Sequence, residues 1–217
     1  MLPVELATRA GCARLEGPLD PGRLAALVPG DAACELEIGF GKGRFLLARA
    51  AEHPERRFLG IEIAGEYFRL AARRLARRGL ANVALVRGEA LYLLAVVLPR
   101  AFAREVHVYF PDPWPKSRHQ RRRLFSPASL DLVLGALEPG GRLSFATDHL
   151  DYGAEVETIL AGHPGLGVTR VSGGWPGGPR TNYEAKYVAA GRPILRLEAT
   201  LAGAPALHPA GVLEVLV

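Results

Sequence analysis

Cysteine is nearly missing from this chain. Cys12 and Cys34 are the only two in 217 residues, which leaves no disulfide framework and no CxxC pair. Cys34 falls in an apolar run, where a thiol behaves as a small hydrophobe. The six histidines are scattered, with no His-x-x-x-His and no mixed Cys/His group, so no protein-ligated metal is expected. Long apolar runs are missing too. The longest, residues 90–99, is too short to span a bilayer and reads as a buried helix. The first residues lack the basic, apolar and small-residue order of a secretory leader, because Glu5 interrupts them. These absences lead to the expectation of a cytoplasmic protein with no membrane segment. Asn, Gln and the single Met are rare, while arginine dominates the basic residues; a GC-rich genome and a warm habitat would both leave that bias.

What is present suits one α/β domain. Nearly half the residues, 49%, are apolar and 23% are charged, and a chain of this length buries enough surface to need no staples. Net charge is +5 and the pI about 9.6, a balance that fits a polyanionic partner. From residue 33 onward short β-rich runs alternate with amphipathic stretches. Residues 34–39, 58–63, 83–87, 106–110, 142–147 and 194–201 read as strands. Residues 44–53, 65–78, 90–98, 127–137, 151–161 and 183–190 read as helices. Such alternation implies parallel βαβ crossovers in a doubly wound sheet with helices on both faces. Ser126-Pro127 has the form of an N-cap with proline at the first helical position, and Gly79 follows Arg77-Arg78 as a C-terminal glycine should. The Gly/Pro-rich stretch 173–179 is too short for a domain linker and reads as an active-site loop. Residues 1–32 form a segment without a motif, 33–201 the domain, and 202–217 a tail with no assigned role.

Glu37-Ile38-Gly39-Phe40-Gly41-Lys42-Gly43 follows the first of these strands and opens a helix. Glycines there allow a tight turn and close approach of a ligand. A dinucleotide fingerprint needs a third glycine where Arg44 stands, which argues against an NAD-linked oxidoreductase. The acidic start disfavours pyrophosphate and suits the cationic, phosphate-free amino-acid end of S-adenosylmethionine. Glu62 closes the next strand, where an acid accepts hydrogen bonds from ribose hydroxyls, and Glu89 follows the third strand, in reach of an adenine amino group. Each acid alone also reads as a solvated strand terminus.

The fourth strand runs into Phe110-Pro-Asp112-Pro-Trp114-Pro-Lys116. Prolines stiffen that loop and restrict their predecessors, which is what holding the Asp112 carboxylate in one pose requires. Trp114 offers a flat apolar face. Arg118-His119-Gln120-Arg121-Arg122-Arg123 follows, and dense positive charge at the mouth of a nucleotide-like pocket points to a phosphate backbone. A solvated surface run or a localisation-like stretch would look the same. A second basic stretch, Arg69, Arg73, Arg74, Arg77 and Arg78, reads as the polar face of its helix.

With these motifs in order, the chain resembles the bacterial single-chain tRNA (guanine-N7-)-methyltransferases, members of the class I S-adenosylmethionine-dependent methyltransferase superfamily. The likeness spans residues 33–200: the LEIGFGKG loop, GIE at 60–62, FPDPWPK, ATD at 146–148 and Thr181-Asn-Tyr-Glu184. FPDPW with its basic run is specific, whereas the GxGxG loop is shared by many methyltransferases. The resemblance implies a Rossmann-like, mostly parallel seven-stranded sheet with an antiparallel last strand, and methyl transfer to N7 of a variable-loop guanine of tRNA. Residue by residue it implies cofactor contacts at Glu37, Gly39, Gly41, Gly43, Glu62, Glu89 and Asp112, with Asp112 also catalytic. It implies substrate contacts at Lys116, Asp148, Thr181, Asn182, Tyr183 and Glu184, and RNA contacts at Arg118, His119, Arg121, Arg122 and Arg123. Glu89 departs from the family's usual Asp. Monomer and homodimer both remain open. Two alternatives stay open as well: a methyltransferase acting on an exocyclic amine of RNA or DNA, and a non-catalytic RNA-binding relative.

Overall fold

The computed structural model describes residues 5–14 and 33–203. Most of the expected N-terminal segment and nearly all of the expected tail lie outside the described residues. The sheet has nine strands. A hairpin, β1 (Glu5–Thr8) and β2 (Gly11–Arg14), precedes β3 (Cys34–Ile38), helix α1 (Arg44–Glu52), β4 (Arg57–Glu62), α2 (Gly65–Arg78) and β5 (Val83–Arg87). A single α-helical turn, α3 (Ala90–Tyr92), leads to β6 (Ala103–Tyr109), α4 (Pro127–Ala136), β7 (Leu137–Thr147) and α5 (Leu150–Ala161). Then come β8 (Leu166–Arg170), α6 (Asn182–Ala189) and β9 (Leu195–Leu201).

The strand order is β2-β1-β5-β4-β3-β6-β7-β9-β8. Pairings from β5 through β7 are parallel, and β9 runs antiparallel to both neighbours. The chain winds outward from β3 to β5 and returns to β6 on the other side of β3. That reversal leaves a crevice beyond the carboxyl ends of β3 and β6, where open α/β sheets take ligands. The expected seven strands are therefore present, and the hairpin adds two by pairing β1 antiparallel to β5. Its four-residue strands carry too short a pattern to be read as strands from sequence, and the same holds for β8, whose residues are all half-buried or exposed.

Local chemistry explains the boundaries. Ser126 accepts from the Ser129 N–H at 3.1 Å while the Ser129 hydroxyl accepts from the Ser126 N–H at 2.9 Å, a capping box ahead of Pro127. Gly79, at φ 65°, ends α2 by donating to the Leu75 and Ala76 carbonyls. The expected helix over 90–98 keeps only one α-helical turn and widens into a π-turn at Leu93–Val97, a form that concentrates near functional sites. A Cβ on Gly60 would lie 2.6 Å from both Leu46 and Phe40, so α1 packs on β4 only because that strand residue lacks a side chain. One apolar cluster, including Leu36, Val106, Val133, Phe145 and Val156, covers one face of the sheet. A second, with Leu46, Phe58, Phe68 and Leu75, lies under α1 and α2.

Candidate active site

The loop after β3 passes through Gly39, Gly41 and Gly43 at φ 77°, 52° and 70°, values that cost an L-residue on the order of 1–2 kcal/mol each. A Cβ at Gly39 or Gly41 would meet nothing within 4 Å, so that flank is open to a ligand. At Gly43 it would sit 3.0 Å from the Ala71 Cβ, so this glycine serves the approach of α1 to α2. Glu62 fastens the loop by accepting from Gly41 N at 2.8 Å and Ala64 N at 2.9 Å. Exposed Glu89 caps α3, accepting from Leu91 N at 3.0 Å and Tyr92 N at 2.6 Å. Carboxylate oxygens have two lone pairs each, so both acids keep acceptor capacity for a bound ligand.

Glu37 is held otherwise. It is 2% exposed, and its Oε2 has no hydrogen-bond partner among the described residues. Burial pushes its carboxyl up to about 8; the Leu46 backbone N–H pulls the other way and the neighbouring Glu62 charge adds to the rise. A buried acceptor without a donor costs about 1–3 kcal/mol. A cationic N–H donor arriving on the open side of the glycine loop removes that cost, and the amino-acid end of S-adenosylmethionine is such a group.

Across the crevice, β6 ends in the Phe110–Trp114 turn. Phe110 at φ 54° and Trp114 at φ 40° both hold left-handed conformations that side chains rarely adopt, each costing about 1–3 kcal/mol. Between them Asp112 is exposed and makes no hydrogen bond or ion pair among the described residues. The turn is held by the Phe110 N–H on the Ala146 carbonyl at 2.7 Å and by Arg123 Nε on the Pro113 carbonyl at 2.7 Å. Trp114 carries the Arg122 guanidinium 5.0 Å from its ring centroid and the His119 ring edge-on at 5.7 Å. Phe110, Tyr183 and Tyr187 form an aromatic group with centroids 5.7–6.3 Å apart, and Tyr183 is 53% exposed.

Two of the expected contact residues are buried and partnered within the protein. Glu184 is fully buried, with one oxygen accepting from Arg196 Nε at 2.7 Å and the other from the Arg180 N–H at 2.7 Å. Both contacts anchor the loop before α6. Arg123 is also buried, ion-paired with Glu155 and 4.9 Å over the Tyr152 ring; it braces the turn from inside. Asp148 pairs with Arg192 at 3.0 Å, Thr181 caps α6 through the Glu184 N–H, and Asn182 accepts from Arg44 at 3.4 Å. Lys116 and Arg118 are exposed beside Asp112, and the side chain of Arg121 lies outside the described residues.

Arg180, Trp175, Tyr109 and His107 were not picked out from sequence. Arg180 lies 4.0 Å over the Trp175 ring and donates to the Tyr109 hydroxyl. That hydroxyl is 3.0 Å from His107 Nδ1, and His107 Nε2 is 3.0 Å from Glu35. Arginine only donates and a carboxylate only accepts, so with a neutral His107 ring Tyr109 donates to Nδ1 and Nε2–H donates to Glu35. Burial lowers the His107 pKa, consistent with the neutral ring. Glu35, Glu105 and His107 lie within 4.8 Å of one another, as metal ligands can, but Arg49, Arg56 and Arg142 already pair with the two carboxylates. Guanidinium groups thus neutralise both carboxylates of the cluster. No helix among the described residues is long and apolar enough to cross a membrane.

A sheet of this order, with a glycine loop and acids at its carboxyl edge, defines a class I methyltransferase. Among solved structures, the 16S rRNA methyltransferase KamB superposes with a TM-score of 0.63 at 14% identity, covering 91% of this chain and 99% of its own; that likeness establishes the fold. The family profile described as putative methyltransferase matches residues 31–197. The tRNA (guanine-N(7)-)-methyltransferase of Nitrosococcus oceani is 40% identical over 170 residues, covering 78% of this chain and 71% of that protein. The enzyme of the same name from Nocardia farcinica is 38% identical over 162 residues, 72% of this chain and 58% of its own length. The chain belongs to the tRNA (guanine-N(7)-)-methyltransferase family.

Proposed function

We propose that this protein moves a methyl group from S-adenosylmethionine to N7 of a guanine in the variable loop of tRNA, in the cytoplasm. The observation that carries the reading is Asp112: an exposed, unpartnered carboxylate fixed between two left-handed residues, on the turn after β6, which pairs with β3, the strand that leads into the glycine loop. S-adenosylmethionine supplies a methyl already activated on a sulfonium. Glu37 and the loop at Gly39 and Gly41 would hold its amino-acid end, with Glu62 and Glu89 toward the ribose and base.

Guanine N7 has an in-plane lone pair and no proton, so the transfer needs no general base. The protein's contribution is then position and electrostatics. Asp112 would accept from the N–H groups of the guanine edge and offset the positive charge that grows on the purine. Phe110, Tyr183 and Tyr187 offer a surface on which an unstacked base can lie. Arg118 and Arg122 would meet phosphates, and Lys116 and Asn182 the nucleotide's polar groups. A variable-loop guanine is packed in folded tRNA, so local opening akin to base flipping accompanies binding.

Asp112→Ala is expected to lower kcat on bulk tRNA by about 100-fold or more, by analogy with the loss of one preorganised transition-state contact, while the Kd for S-adenosylmethionine stays within about twofold. Unchanged turnover would remove Asp112 from the chemistry. The modified nucleoside, released from tRNA and analysed by mass spectrometry, is expected to be 7-methylguanosine; methyl on an exocyclic amine would sink the reading.

A further inference from the structure

Beside the glycine loop lies a cleft of about 350 Å³ lined by Gly43, Arg44, Arg74, Arg77, Arg78 and Asn182. We infer that this cleft is a second docking site for the phosphate backbone of the RNA substrate, separate from the basic run after Asp112. The inference rests on the tRNA reading above.

The alternative is a solvated polar face, and α2 does not fit it. Such faces mix signs, with acids four residues before bases. Glu66 is the only acid on α2, and from Tyr67 to Arg78 every charged residue is arginine. Arg69 and Arg73, Arg73 and Arg77, and Arg74 and Arg78 stand one turn apart, and like charges so placed each cost a helix about 0.2–0.5 kcal/mol. The helix therefore gives up stability to keep one sign.

The cations are not neutralised elsewhere. Among the described residues, Arg44, Arg74, Arg77 and Arg78 have no ion pair, whereas Arg87, Arg142 and Arg170 each hold a glutamate. Arg74 donates to the Lys42 carbonyl at 2.6 Å, and Arg44 to Asn182 at 3.4 Å, so the cleft is tied both to the glycine loop and to the head of α6. Asn182 in its wall is next in sequence to Tyr183, which belongs to the aromatic group around Phe110. A nucleotide strand with one base on that group has its neighbouring phosphates within reach of the cleft. Convergent guanidinium groups without a carboxylate are a phosphate site by chemistry.

The test uses Arg77→Gln/Arg78→Gln, two exposed side chains with no hydrogen bond among the described residues. Binding of the full chain to tRNA is measured across a salt series, together with KM, kcat and the Kd for S-adenosylmethionine. The expected result is tRNA affinity weakened roughly tenfold at low salt and a log–log salt slope shallower by about two, one for each phosphate released. KM for tRNA rises, with kcat at saturating tRNA and donor affinity unchanged. A variant that keeps the wild-type slope while the wild type still methylates N7 overturns the cleft alone. A wild type that neither binds nor methylates tRNA overturns the function reading and this inference with it. Arg77→Glu/Arg78→Glu is the second variant, and it is expected to weaken binding further, with wild-type circular dichroism showing that the fold is intact.

Discussion

Glu35 and Glu37 stand two residues apart on β3, on the same side of the sheet, and are almost equally buried at 1% and 2% exposure. They are held in opposite ways. Burial alone would push the Glu35 carboxyl up, but hydrogen bonds from His107, Arg49 and Arg56 hold it well below the usual carboxylate range. Glu37 receives only the Leu46 N–H, and burial wins. One residue is finished by its own protein; the other waits for a group from outside. Burial does not separate structure from function here, and satisfaction does.

The largest expected effect tests the finished partner. Glu35→Gln leaves two guanidinium groups facing a neutral amide, and breaking a buried pair in this way costs about 3–5 kcal/mol. Urea unfolding should show it, while the donor affinity of the folded fraction is unchanged. A loss below about 1 kcal/mol would mean that the network is not what holds the amino end of the sheet.

Glu37→Gln should do the reverse. Stability is expected to stay level or rise, while S-adenosylmethionine binds about 10- to 100-fold more weakly, the value of one hydrogen bond to a charged group. Protons sharpen the contrast. Glu37, raised from 4.5 to about 8, binds more protons folded than unfolded, so its contribution is full below pH 4.5 and is lost as pH rises through 8. Glu35, with its pKa lowered, contributes above its ordinary range and loses that as pH falls. The melting temperature without ligand should therefore decline from mildly acidic toward alkaline pH, and Glu37→Gln should flatten that decline. Donor binding near pH 7 should release a proton in wild type and none in the variant, read by calorimetry in buffers of different ionisation enthalpy. Equal proton release in both would remove Glu37 from the donor site.

The smallest effect probes the link between the two ends. Tyr109→Phe removes the hydroxyl between Arg180 and His107 and should cost about 1–3 kcal/mol, since a buried ring nitrogen loses its partner. It should also raise KM for tRNA modestly by loosening Arg180. A stability loss with wild-type KM would confine Arg180 to packing.

The parallel core of the sheet was legible because its strands are continuous apolar runs and its helices carry caps: Ser126-Pro127 and Gly79 announced ends that the structure keeps. The glycine loop and the Asp112 turn were legible because glycine, proline and acid at fixed spacing have few other uses. What could not be read depends on contacts far apart in sequence. Glu184 and Arg123 sit within motifs beside exposed residues, and only packing shows that Arg196 and Glu155 pair with them. The Arg180 to Glu35 chain spans 145 residues and has no local signature. The arginines of α2 looked like a polar face until Arg44 and Asn182 closed the cleft around them.

The hairpin at residues 5–14 covers the side of β5, whose four apolar residues Val83 to Val86 are fully buried. Arg87 is pinned there by Glu5. A chain cut to begin at residue 33, where the motifs begin, would keep every residue named for the chemistry and would bare a row of unpaired amides beside an apolar strand. Such an edge recruits other chains. Shortening this protein to its recognisable motifs should therefore yield a species that holds its site and associates with itself.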